Sequence, residues 1–118
     1  MFDSIVIFFW PFLSKYALRL MLIDDGLPVP STQVRVSDGC NEAFLDLGYE
    51  EPKVGLDYEG AHHSAQRRRY VRDIGRSEFI ESQGWIDIKV VAEHSRSFIL
   101  HRVRSALARR GWTMPRSA

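Results

Sequence analysis

The sequence predicts an α/β (α+β) domain in which a mixed sheet is flanked by helices, with the element order α-β-β-β-α-β-α. Three stretches carry apolar residues at helical spacing, and they cover residues 14–25, 64–83 and 95–110. Short runs of alternating or β-branched residues lie between them. Three consecutive strands followed by a crossover helix and a further strand build a sheet with antiparallel and parallel neighbours.

The first half of the chain predicts one helix and three strands. Gly26 stops the first helix, and a proline-containing linker leads to a strand over residues 32–36. The next two strands cover residues 42–49 and 54–59, and a four-residue loop joins them.

The second half predicts a long helix, a strand and a final helix. Gly84 ends the helix over residues 64–83, and a strand over residues 85–91 follows it. The final helix has an apolar stripe that consists of Ile99, Leu100, Val103, Ala106 and Leu107.

The composition is that of one globular domain: 118 residues, 45% hydrophobic and 26% charged. We assign this domain to residues 14–112 and residues 113–118 to a tail. The single cysteine, Cys40, excludes an internal disulfide framework and fits a reducing, cytoplasmic environment. No cysteine–histidine cluster has the spacing of a zinc site.

Residues 1–13 form a very apolar segment that is too short to cross a bilayer. Asp3 precedes its apolar run where a signal peptide would be basic, and no small-residue cleavage site follows. We therefore interpret residues 1–13 as an extension that covers the core or is not native to the domain. A membrane-surface anchor is the alternative.

Charge is divided unevenly along the chain. Residues 1–60 hold 4 basic and 10 acidic side chains, whereas residues 61–118 hold 12 basic and 5 acidic ones. An acidic pocket beside a basic surface suits metal-dependent chemistry on a polyanion, because the metal needs carboxylates and phosphates need cationic contacts. The alternative is a solvated helix face laced with salt bridges.

Three acidic residues fall on the two middle strands. If Tyr49 pairs with Val54 across the loop, Asp46 lies opposite Asp57, and Glu59 shares their face. Like charges in that position destabilise a hairpin, and a hard divalent cation with oxygen ligands neutralises them most simply. Alternatively, the carboxylates only form a solvated face, and a register slip of one residue would separate them.

Several motifs occur in a specific order: FLDLG at 44–48, VGLDYEG at 54–60, His63, DIGR at 73–76, and the Gly-Trp strand that begins at 84. This set resembles the restriction-endonuclease-like, PD-(D/E)XK nuclease superfamily. Within it, the set is most similar to the very-short-patch-repair-like endonucleases and related bacterial proteins. The resemblance covers roughly residues 18–92.

The resemblance implies a restriction-endonuclease-like core and a magnesium site. Asp46 and Asp57 match the acids that bind Mg²⁺ in that superfamily, and Glu59 stands beside them. His63 matches a histidine that assists the reacting water or phosphate. Arg76 belongs to the D-x-x-R helix, which implies a structural or phosphate-facing role.

Three departures from the family pattern favour a domain that kept the fold and lost the chemistry. Glu59 stands where the superfamily has a lysine, whose charge Lys53, Lys89 or a histidine has to supply. The first helix lacks the acid that relatives carry before its Leu-Arg pair, and Ala61 stands where they often have an acid.

We therefore expect a metal-dependent DNA endonuclease or nickase, or a domain derived from one, that uses Mg²⁺ or Mn²⁺ on double-stranded DNA. The expected catalytic residues are Asp46, Asp57, Glu59 and His63, of which the three acids bind the metal. The residues expected to contact DNA are Arg68, Arg69, Arg72, Arg76 and Lys89. One alternative is an inactive nucleic-acid-binding or regulatory domain, such as the C-terminal part of an antitoxin-like regulator. Another is a small protein-interaction module.

Overall fold

The computed structural model describes residues 14–60 and 67–112, and these have the predicted order α-β-β-β-α-β-α. The helices are α1 (Lys15–Asp24), α2 (Arg67–Ser82) and α3 (Arg96–Arg109). The strands are β1 (Ser31–Ser37), β2 (Glu42–Tyr49), β3 (Val54–Gly60) and β4 (Ile86–Val91). The expected N-terminal extension, the loop with His63 and the expected tail lie outside the described residues.

The four strands form one mixed sheet in the order β1-β2-β3-β4. β1, β2 and β3 form an antiparallel meander, and β4 returns through α2 to lie parallel to β3. Tyr49 pairs with Val54 and Leu47 with Leu56, so the predicted hairpin register is confirmed. The predicted α+β class and the mixed sheet are confirmed as well.

Two of the helices begin at serines that cap them. The Ser14 hydroxyl accepts a hydrogen bond from the Ala17 N–H at 3.2 Å, and the Ser95 hydroxyl accepts one from the Phe98 N–H at 3.2 Å. Each cap satisfies one of the N–H groups that a helix start leaves without a partner. No helix among the described residues is long and apolar enough to span a bilayer.

The sheet separates two cores. On one face, here called the α1/α3 face, the buried residues of α1 and α3 pack against Val54, Leu56, Ile88 and Val90. On the other, the α2 face, Ile80 of α2 packs with Trp85 and with residues from β1 and β2. Helices lie on both faces of the sheet, and charged residues interrupt the apolar central strands at Asp57 and Glu59 of β3 and at Asp87 and Lys89 of β4.

Strand β2 changes its buried face at Asp46. Ala43 and Leu45 belong to the α2-face core, whereas Leu47 and Tyr49 belong to the α1/α3-face core. Residues two apart on a regular strand share a face, so β2 twists across Asp46. The ladder with β3 accordingly runs only from Tyr49 to Leu47, and Asp46 lies just past its end. The sheet therefore opens between β2 and β3 at this residue.

The face change of β2 places Leu45 over Gly55, which generates a prediction about stability. A Cβ at Gly55 would overlap Leu45 Cδ1 and lie 3.1 Å from its Cδ2. We expect Gly55→Ala to lower the free energy of unfolding by about 1–3 kcal/mol in urea denaturation, because a packed core resists added volume. The matched control is Gly75→Ala on α2, where nothing lies within 4 Å, and it raises that free energy by up to about 1 kcal/mol. Equal effects of the two variants would contradict this packing.

Candidate functional site

A cleft of about 210 Å³ lies where the sheet opens between β2 and β3. We call it the acidic cleft, and its lining residues are Asp46, Asp57, Tyr58, Glu59, Asp73, Arg76 and Lys89. The three acids predicted as metal ligands therefore line one cavity, together with two of the cations predicted to contact DNA.

Asp46 and Asp57 connect β2 and β3 through their side chains and not through paired backbone groups of the ladder. The Asp46 N–H donates to Asp57 Oδ1 at 3.3 Å, and the Tyr58 N–H donates to Asp46 Oδ2 at 2.8 Å. Each carboxylate thus accepts a backbone hydrogen bond from the opposing strand, in place of the regular ladder bonds that end at Leu47. This exchange brings both acids to the same opening of the sheet.

Arg76 of α2 neutralises Asp57. Its Nη1 donates to Asp57 Oδ2 at 2.8 Å, and its Nη2 donates to Oδ1 at 3.1 Å. Nη2 also donates to the backbone carbonyl of Phe44 on β2. The Asp57 side chain is only 8% exposed, so this bidentate pair supplies the counter-charge that a buried carboxylate requires.

Glu59 reaches the cleft from an irregularity in β3. Tyr58 pairs with Val90 and Gly60 with Val91, so Glu59 is an extra residue with no partner on β4. Bulges of this kind re-aim a side chain and are over-represented next to active sites. Here the bulge lies at the rim of the acidic cleft.

Lys53 and Lys89 are the two lysines that the sequence offers in place of the superfamily's motif lysine. Of these two, only Lys89 lines the acidic cleft. It lies opposite Asp57 in the β3–β4 register. Lys53 lies at the far end of the sheet, where its Nζ donates to the carbonyl of Gln83 at 3.1 Å. The geometry therefore favours Lys89 for that position.

Asp87 contacts the lining of the acidic cleft at Lys89, and the sequence analysis does not single it out. It lies on β4 two residues before Lys89, and in register with Gly55, which is two residues before Asp57. Period-2 alternation therefore puts Asp87 on the same face as Asp57. Its side chain is 2% exposed. Lys89 Nζ stands 3.6 Å from Asp87 Oδ2.

Burial dominates the electrostatics of Asp87. Burial first, then the negative charge of Asp57 and a side-chain hydrogen bond with Asp57, raise the pKa of Asp87 to about 6. Lys89 and Arg76 partly oppose this rise. The pKa of Arg76 is raised in turn, first by its hydrogen bond to Asp57 and then by the charges around it. Asp57, Asp87, Lys89 and Arg76 thus form one coupled group.

The structure describes some of the remaining predicted site residues and not others. Arg72 is exposed on α2, one turn before Arg76. His63 and the side chains of Arg68 and Arg69 lie outside the described residues. Asp73 lines the cleft from α2.

The donor chemistry of the acidic cleft fits a hard divalent cation, because its acidic side chains supply only carboxylate oxygens. In the arrangement described for residues 14–60 and 67–112, however, no three His, Cys, Asp or Glu side chains are placed to hold a metal ion. At Asp57, the Arg76 guanidinium contacts both carboxylate oxygens.

Comparison with known proteins finds distant similarity only. The chain is 27% identical over 79 residues to two uncharacterized proteins of Mycobacterium tuberculosis, one from strain CDC 1551 / Oshkosh and one from strain H37Rv. The match covers 66% of this chain but only 29% of each relative, so the chain resembles one part of a longer protein. No protein-family model matches the sequence, and no solved structure matches it.

The raised pKa of Asp87 predicts how stability depends on pH. Because Asp87 binds its proton more tightly when folded than when unfolded, its contribution to the free energy of unfolding falls as pH rises from about 4 to 6. Asp87→Asn removes this fall. The free energy of unfolding of the variant therefore exceeds that of the wild type by about 1–3 kcal/mol at pH 8 and equals it near pH 4.

Urea denaturation across this pH range measures the difference, with Asp38→Asn as the control of opposite sign. Backbone hydrogen bonds from Asn41 and Cys40 hold the pKa of Asp38 low, so Asp38→Asn loses stability above pH 4. If the free energy of unfolding of Asp87→Asn instead fell further below that of the wild type between pH 4 and 8, the raised pKa of Asp87 would be contradicted.

Proposed function

We propose that this protein is a metal-dependent phosphodiesterase acting on double-stranded DNA, as an endonuclease or nickase, or a domain derived from one. The observation that supports this best is that three carboxylates predicted to bind metal line one cleft with Lys89 and Arg76. Carboxylates for a metal and cations for phosphates are the two components that such chemistry requires.

The balance of charge in the cleft favours a bound cation. Asp46, Asp57, Glu59 and Asp73 contribute four negative charges to the lining, and Arg76 and Lys89 contribute two positive ones. A phosphate diester approaching this surface meets net repulsion. One divalent cation bound there would cancel this excess negative charge.

Each residue has a defined part in this proposal. Asp46, Asp57 and Glu59 would hold Mg²⁺ or Mn²⁺, which would polarise the scissile phosphate and make the attacking water more acidic. Lys89 places its ammonium beside the phosphate and compensates the charge that develops there. His63 transfers a proton to or from the water or the leaving oxygen, since an imidazole titrates near neutral pH.

Helix α2 provides the contacts with the DNA backbone. Arg72 is exposed on α2, and Arg68 and Arg76 lie one turn before and after it in the sequence. Arginines at i, i+4 spacing lie along one side of a helix and contact phosphates without reading bases. The sequence lacks the interleaved aromatic and basic residues that stack single-stranded bases, which favours duplex DNA.

A second candidate is an inactive nucleic-acid-binding or regulatory domain that kept the fold. The observation in its favour is the bidentate Arg76–Asp57 ion pair, which satisfies the buried carboxylate without a metal. The match to part of a longer protein agrees with a domain that works beside another, such as the C-terminal part of an antitoxin-like regulator.

The two candidates differ in a nicking assay on supercoiled plasmid with Mn²⁺. For the nuclease we expect the wild type to nick, and we expect Asp46→Asn and His63→Ala to lose nicking by about 100-fold or more while still binding duplex DNA. Asp25→Asn is the matched control, because Asp25 pairs with Arg104 at 2.7 Å on the far side of the fold. Binding without nicking by the wild type would support the regulatory domain instead.

A salt series tests the role of α2. Each phosphate contact releases counterions, so replacing Arg68 and Arg72 by Gln flattens the slope of log affinity against log salt by about one or two units. The loss is similar for unrelated duplex sequences. The slope is measured by fluorescence anisotropy from 50 to about 200 mM salt. An unchanged slope would show that α2 does not contact the DNA backbone.

A further inference from the structure

Lys89 has one ion-pair partner among the described residues, and that partner is Asp87. The Lys89 Nζ lies 3.6 Å from Asp87 Oδ2. Lys89 is also in register with Asp57 on β3, but the Arg76 guanidinium already contacts both carboxylate oxygens of Asp57. The carboxylate that contacts the Lys89 ammonium is therefore the one two residues before it, on the same face of β4.

Asp87 lies beside the acidic cleft and does not line it. Its side chain is only 2% exposed, and the residues that line the cleft do not include it. The Lys89 side chain is 33% exposed and does line the cleft. A phosphate in the cleft can therefore reach the ammonium of Lys89 but not the carboxylate of Asp87.

The ion pair leaves the Lys89 ammonium able to bind a second anion. An ammonium carries three N–H donors, and Asp87 contacts it from the buried side only. A lysine has a flexible four-carbon stem, so a fixed anion near its end reduces the number of positions that the ammonium samples. The donors that Asp87 does not use are available to a phosphate in the cleft.

The backbone of Lys89 is fixed as well. β4 lies at the edge of the sheet, next to β3 alone. Arg102 of α3 contacts β4 there, and its Nη1 donates to the backbone carbonyl of Lys89 at 2.7 Å. Lys89 is thus held at its backbone by α3 and at its ammonium by Asp87.

Carboxylates outside the cleft compete for the Lys89 ammonium. Lys89 also lines a neighbouring groove of about 450 Å³, and that groove contains Glu78 and Glu81 of α2. Their negative charges attract the ammonium away from the acidic cleft. The buried charge of Asp87 opposes this attraction, because it lies in contact with the ammonium.

We propose that Asp87 is a positioning residue that holds the Lys89 ammonium at the acidic cleft, where the ammonium contacts a DNA phosphate. The proposal rests on the proposed function, in which Lys89 compensates the charge that develops at the scissile phosphate. Asp87 does not touch the DNA and acts only through Lys89. A cation held in place in this way stabilises a transition state without being reoriented during the reaction.

A positioning role separates the effect of Asp87 on the reaction from its effect on stability. Asp87→Asn keeps the size of the side chain and removes its charge, and at pH 8 the variant is expected to be at least as stable as the wild type. We nevertheless expect it to nick supercoiled plasmid at pH 8 with a maximal rate about tenfold lower or more, at a nearly unchanged KM. A residue kept for folding alone would not give this combination.

A double-mutant cycle tests whether Asp87 acts through Lys89. Lys89→Gln removes the ammonium, and we expect its nicking rate to fall by about 100-fold or more. In the Lys89→Gln background, Asp87→Asn then has no further effect, because no ammonium is left to position. If the two losses multiply instead, the proposal is wrong. The matched control is Asp25→Asn, which breaks an ion pair with Arg104 away from the cleft and nicks like the wild type.

Nuclear magnetic resonance of the lysines measures the positioning without reference to activity. The chain contains three lysines, Lys15, Lys53 and Lys89, so labelling with ¹³C-lysine resolves each Cε group. We expect the Hε protons of Lys89 to have separate chemical shifts in the wild type at pH 8, because the side chain is fixed. In Asp87→Asn these shifts merge. Lys15 is the internal control, since its side chain is 58% exposed and its signals stay unchanged.

The two measurements distinguish failure of this proposal from failure of the proposed function. If the wild type nicks plasmid and the Lys89 signals are the same in Asp87→Asn, the positioning role is rejected and the hydrolysis stands. If the Lys89 signals change as expected and the wild type does not nick, only the hydrolysis is rejected. If Asp87→Asn does not fold, Asp87→Ser replaces it in both measurements, because a smaller polar side chain fits the same position without a charge.

Discussion

The arrangement of this domain depends on how the buried carboxylate of Asp57 is compensated. An unpaired charge at 8% exposure costs several kcal/mol, so Asp57 requires a cation in contact with it. Arg76 provides one at 2.8 Å and, through its bond to the Phe44 carbonyl, joins α2 to both β3 and β2. The crossover helix is therefore fixed over the opening of the sheet by the same contact that compensates the charge of Asp57.

The irregularities of the sheet collect around this contact. β2 changes its buried face at Asp46, and β3 carries an unpaired residue at Glu59. Both deviations interrupt the ladder of backbone hydrogen bonds, and both direct carboxylates into one cavity. A sheet selected only for stability would pair these residues regularly, so the deviations are consistent with a functional role for the cleft.

The sequence predicts the helices, the strands and the hairpin register because these follow from local periodicity and from a short loop. Tyr49 and Val54 pair as expected for that reason. Asp87 was missed because it lies in an alternating strand, where one acid resembles a solvated position. The only available signal was its place two residues before Lys89, and this becomes informative once β4 is known to lie beside β3.

Local sequence patterns do not predict the Arg76–Asp57 ion pair either, because the two residues are 19 positions apart and meet only when α2 crosses the sheet. The sequence predicts that a divalent cation neutralises the carboxylates and that Arg76 contacts DNA. The structure puts Arg76 on Asp57.

A crystal structure of the protein grown with Mn²⁺ tests this account most directly, because the anomalous signal locates the ion without reference to activity. We expect an anomalous peak in the acidic cleft, in contact with carboxylate oxygens of Asp46 and Asp57. A peak elsewhere on the molecule, or no peak at all, would contradict the metal-binding role of the acidic cleft.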